Sequence, residues 1–138
     1  MDDHVEIARG YLAAYARGGL DAVAGYWHPE ITWRAMEGAI DDVGVMCGPQ
    51  AVRSYYRQWE ELFDEVSLDA EELIEAGPRV VAVMHSTGRV KGSVAEIAIR
   101  YAIVLTIRDG SIWAGREYPN REEALRAASV TEPAGSGG

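Results

Sequence analysis

VAEIAIRYAIVLTI-RDG-SIWAGREY, running from Val94 to Tyr118, is the stretch whose reading decides the fold. Its first half is dense in β-branched and aromatic residues, and Asp109-Gly110 supplies the positive-φ pair that a two-residue hairpin turn needs. Two long antiparallel strands are therefore expected on either side of that turn. Charge interrupts them chiefly at Glu96, Arg100, Arg116 and Glu117. A charge on a half-buried sheet requires water or a partner, so these positions are the first candidates for chemistry.

Downstream of the hairpin, Pro119-Asn120 begins a short last helix, with Asn120 as cap and Glu123 as its reciprocal partner. Upstream, Gly88 to Gly92 is a turn, Arg79 to Thr87 a strand, and Val66 through Leu68, Ala70 and Ile74 another, with Gly77-Pro78 between them. Gly48-Pro49-Gln50 opens a long helix. Its residues Val52, Tyr55, Tyr56, Trp59, Leu62 and Phe63 form one wide apolar face, and Arg53, Arg57, Glu60, Glu61 and Asp64 fall largely on the other. Residues 37–47 have no clean period and read as a loop, and Ile31 to Arg34 reads as a short strand. At the start, Asp2 or Asp3 caps a helix with Val5, Ala8, Tyr11, Leu12 and Tyr15 at helical spacing, ended by Gly18-Gly19. Leu20 to Trp27 then forms a second short helix, closed by His28-Pro29. Helices first, then a sheet, then a helix give an α+β order. The expectation is one domain over residues 1–130, with residues 131–138 (TEPAGSGG) as a disordered tail. A strongly curved antiparallel sheet wraps the long helix and leaves an apolar cavity between sheet and helices.

Composition narrows the function. With 13 basic and 22 acidic residues the formal charge is −9. No basic stripe offsets it, so nucleic acid and anionic membrane surfaces are disfavoured as partners. No apolar run is long enough to span a bilayer and no leader precedes the first helix, which makes cytoplasmic the expected location. Cys47 is the sole cysteine and is expected as a small buried hydrophobe. His4, His28 and His85 stand at no metal-ligand spacing with one another or with an acid, and neither a nucleophile elbow nor a phosphate-binding glycine loop occurs, so no metal and no cofactor are expected. Four Trp and seven Tyr against one Phe suit a lined cavity as well as a core.

The segments ARGGLDAV, HPEITWR, CGPQAVRSYYRQW and IRDGSIWAGREYPNREEAL together resemble the NTF2-like superfamily, specifically its SnoaL-like branch, over residues 4–128. The resemblance implies a cone-shaped fold, a homodimer, and cofactor-free chemistry of the polyketide cyclase, ketosteroid isomerase or limonene epoxide hydrolase type. Against the isomerases, Tyr11 matches the oxyanion donor and Tyr56 its supporting tyrosine. Their base falls at Ala35 and their protonated aspartate near Ala102, so both carboxyls are missing. Against the hydrolases, the Arg-x-Asp pair falls near Met84 and Ser86, and only the last-strand acid survives, as Glu117. Trp33 matches a position that meets substrate there.

The candidate catalytic residues are Glu117, Tyr11 and Arg100. By strand alternation Trp113, Gly115 and Glu117 share a face. If that face is inward, Glu117 is placed for proton transfer, the other reading being an ion pair with Arg100 or Arg116. Arg100 shares parity with Ala98 and Ala102, where it either stabilises an anionic oxygen in the cavity or pairs with Glu117 or Glu96. Tyr11 either donates to a substrate carbonyl or is a core tyrosine. Tyr15, Trp33, Tyr56, Trp59 and Trp113 are the candidate contacts to a hydrophobic small-molecule ligand. The opposite parity, Ile97, Ile99, Tyr101 and Ile103, is expected on an outer face that a homodimer covers.

Overall fold

The computed structural model describes residues 4–38 and 44–130. Asp2 and Asp3, the two candidate caps, part of the 37–47 loop and residues 131–138 lie outside the described residues. Helix α1 (His4–Ala24) carries non-helical dihedrals at Gly18 and Gly19, so the expected break between two helices exists as a kink within one element. There follow β1 (Trp27–Arg34), β2 (Val45–Cys47), α2 (Pro49–Leu62), β3 (Phe63–Ala76), β4 (Arg79–Val90), β5 (Glu96–Arg108), β6 (Ser111–Tyr118) and α3 (Arg121–Val130). The short strand β2 was not legible as such. It alternates outward, inward, outward, which buries Met46 and leaves Cys47 exposed at the sheet edge, contrary to expectation.

The six strands form one sheet in the order β2-β1-β6-β5-β4-β3. It is mixed, not wholly antiparallel, because β1 pairs parallel to β6 while its other neighbours run antiparallel. The hairpin stands as expected: Asp109 and Gly110 both have positive φ, at 53° and 78°. At the start of α3, the Glu123 backbone N–H donates to Asn120 Oδ1 at 2.9 Å, and Asn120 Nδ2 donates back to Glu123 Oε2 at 3.4 Å.

The faces of β5 are the reverse of the expected ones. Ile103, Leu105 and Ile107 are buried on the concave side with the helices, each contributing about 1.5–3 kcal/mol of burial. Ala102 and Val104 pack outward beneath Ala124 and Ala128 of α3. Arg100 shares that outward parity. Ile97, Ile99 and Tyr101 therefore turn towards the cavity and do not form the outer face that a second copy was expected to cover.

Strand β6 breaks the simple alternation too. Thr106 pairs with Ala114 but Ile107 pairs with Ile112, so Trp113 is the extra residue of a bulge. Ile112, Gly115 and Glu117 point inward as a result, and Trp113 does not share their face. Gly115 faces Trp33 across the parallel pair, and a Cβ there would sit 2.2 Å from Trp33 Cζ3. Only glycine lets the fully buried indole lie flat against the strand.

Candidate functional site

Helix α2 and the concave face of β3, β4 and β5 enclose a cavity of about 410 Å³, closed at one side by Tyr15 of α1 and Glu117 of β6. It forms where the core runs out. Beyond Ile103 the inward residues of β5 are Tyr101, Ile99 and Ile97, and no side chain of α2 fills the space opposite them.

Glu117 is held from behind. Trp33 Nε1 donates to its Oε2 at 2.9 Å, and the Tyr55 hydroxyl donates to Oε1 and Oε2 at 3.0 and 3.2 Å. Trp33 reaches it from β1 because the Gly115 position lets the indole pass, and Tyr55 reaches it from the buried face of α2. These donors fix the position of the carboxyl on the cavity wall. Neither Arg100 nor Arg116 is its partner. Arg116 approaches Glu37 at 3.6 Å, alongside Arg34 at 3.5 Å.

The tyrosines are layered. Trp27 Nε1 donates to the Tyr11 hydroxyl at 3.0 Å, and Tyr11 is in turn hydrogen-bonded to Tyr56. Tyr56 lines the cavity and Tyr11 stands behind it, which inverts the order that the resemblance implies. Burial pushes the Tyr11 hydroxyl up to about 12 and also raises Tyr56 well above its usual value, with the charge of Glu117 adding to both. Both remain neutral donors at physiological pH. On the facing sheet the hydroxyls of Ser86 and Tyr101 are 3.0 Å apart and also line the cavity.

At the α1 side the Tyr15 hydroxyl donates to Glu60 Oε2 at 2.6 Å, and burial together with this carboxylate raises the phenol. Trp59 stacks on Phe63 with ring centroids 5.4 Å apart, both on the cavity wall.

Of the expected residues, Glu117, Tyr15, Tyr56 and Trp59 meet at this cavity. Trp33 touches Glu117 but lies wholly in the core. Trp113, displaced by the bulge, stacks on His28 at 3.4 Å under the Arg108 guanidinium, away from the cavity. Arg100 is corrected most plainly: it is exposed on the convex face and ion-paired with Glu71 at 3.1 Å. A bulge between Ala70 and Glu72 pushes Glu71 out to meet it. Sequence reading missed Tyr55 as the partner of Glu117, and Tyr101 and Glu60 as wall residues. The Tyr55-Tyr56 doublet was the available signal for the first. Among the described residues, no group of three or more His, Cys, Asp or Glu could hold a metal ion, and no helix is long and apolar enough to cross a membrane.

Residues 8–115 match the family model of the SnoaL-like domain. The chain belongs to the SnoaL-like family. Glu117 lies just past the matched region. A search of curated protein sequences returns no match. Among solved structures, this SnoaL-like chain is similar to an NTF2-like protein from Burkholderia thailandensis, with 21% identity, TM-score 0.75, and 93% of this chain and 98% of that one covered. It is also similar to a hypothetical protein with a ketosteroid isomerase-like fold from Catenulispora acidiphila in complex with trimethylamine, with 18% identity, TM-score 0.70, and 89% and 92% covered. A third is TerC co-crystallised with polyporic acid, with 17% identity, TM-score 0.71, and 90% and 95% covered.

Proposed function

We propose that this SnoaL-like protein is a cofactor-free acid/base enzyme acting on a hydrophobic carbonyl-containing small molecule. The observation that carries this is Glu117, a carboxyl on the wall of a largely apolar cavity, oriented by Trp33 and Tyr55. In the proposed step Glu117 takes a proton from the carbon next to a carbonyl. The C–H electron pair moves into the new C=C bond and the carbonyl pair onto oxygen, where neutral hydroxyls donate to it. Tyr56, backed by Tyr11 and Trp27, is the donor favoured by position, with Tyr101 and Ser86 opposite. Return of the proton to the same or a conjugated carbon completes exchange or isomerisation. The same carboxyl activating a water would serve epoxide opening, although no Arg-x-Asp pair stands beside it. Arg100 has no part in this scheme.

The rival reading is a non-catalytic ligand-binding domain, which the largely apolar lining also suits. Incubating the protein with 2-tetralone in deuterated buffer and following α-proton loss by NMR separates the two. Acid/base catalysis predicts exchange well above the buffer rate. Binding of the ketone with exchange at the buffer rate favours the rival.

A further inference from the structure

The cavity wall is unbalanced in charge. Glu117 and Glu60 both contribute to it, and none of its lining residues is Lys, Arg or His. The arginines of the surrounding strands are engaged elsewhere: Arg89 with Glu65, Arg100 with Glu71 and Arg116 with Glu37. Two acids in mostly apolar surroundings disfavour an anionic ligand and favour a cation, because opposite charges attract more strongly where water is scarce.

The two acids are not equivalent. Trp33 and Tyr55 donate to the oxygens of Glu117. Glu60 accepts from Tyr15 through Oε2, and its Oε1 receives no hydrogen bond from the described residues. Trp59, Phe63 and Tyr15 line the same cavity, Tyr15 in direct contact with Glu60, and aromatic rings attract an ammonium group through the negative charge above the ring. Proton transfer to Glu117 also leaves negative charge on the ligand, and the wall supplies hydroxyls but no cation to balance it.

We propose that the ligand of this cavity carries a protonated amine, held by Glu60 Oε1 against Trp59 and Tyr15, with its apolar body directed towards Glu117. The proposal rests on the cavity being the acid/base site, and a binding measurement separates it from the chemistry. Affinities of the full chain for 2-(2-naphthyl)ethylamine, 2-(2-naphthyl)ethanol and 2-naphthylacetate are compared by calorimetry at neutral pH. The amine is expected to bind at least about tenfold tighter than the acid, with the alcohol between them. Glu60→Gln should bring the amine down to the level of the alcohol and leave the alcohol unchanged. An acid that binds as well as the amine, an amine that fails to bind at millimolar concentration, or an amine preference that survives Glu60→Gln overturns the proposal. Glu117→Gln should keep the preference, whereas a wild-type protein that selects the amine but exchanges no α-proton of 2-tetralone contradicts the acid/base reading and leaves the amine preference standing.

Discussion

The two halves of β5 face different surroundings. From Ala102 to Ile107 the strand is packed on both sides, by the helical core within and by α3 without. From Glu96 to Tyr101 the inner side lines the cavity, and the outer side carries Arg100 in an exposed ion pair with Glu71. The same strand thus changes from core to cavity wall where its covering layers end. Polar groups at that boundary have opposite fates: Glu117 is gripped by core residues, while Arg100 is left to solvent.

Truncating the core side of that boundary should have the largest effect. Trp33→Ala removes a fully buried indole and a donor to Glu117, and the cost should be roughly 3–5 kcal/mol of stability in urea unfolding. A loss under about 1 kcal/mol would mean that Trp33 is not the wedge between β1 and β6.

Tyr11 tests the same side through pH. Its hydroxyl is pushed from 10.0 to about 12, so between those pH values the unfolded chain has lost the proton that the native chain retains. Stability must therefore fall as pH rises through that window, by roughly 2–3 kcal/mol for this group, with no contribution from it at pH well below 10. Tyr11→Phe should flatten the decline by that share. An unchanged slope would place Tyr11 in contact with water.

On the outer side, Arg100→Ala should leave both the unfolding midpoint and the proton-exchange rate within experimental error, since exposed pairs contribute little. A clear loss of exchange would return Arg100 to the site.

The legible parts of the molecule were those with strong local chemistry. Asp109-Gly110 dictates its turn, Asn120 and Glu123 mark the start of α3, and the apolar face of α2 follows its spacing. What escaped depended on long-range packing. Both faces of a strand as apolar as β5 look alike in sequence, and parity was assigned from Arg100 when the helices in fact cover the other side. The bulge at Trp113 cannot be seen in SIWAGREY, yet it separates Trp113 from Gly115 and Glu117. Glu60 looked solvated because only the core face of α2 was considered, whereas the cavity reaches its flank. The parallel pairing of β1 with β6, which brings Trp33 to Gly115 and Glu117, leaves no local trace at all.

The central claim is that Glu117 moves the proton, and its most direct test is the rate of α-proton exchange in bound 2-tetralone for the wild type and Glu117→Gln. The substitution keeps the shape of the side chain and can still accept from Trp33, so ketone affinity should change little. Exchange should drop by about 100-fold or more, the usual contribution of a general base. Equal rates in the two proteins, at equal occupancy, would contradict the assignment.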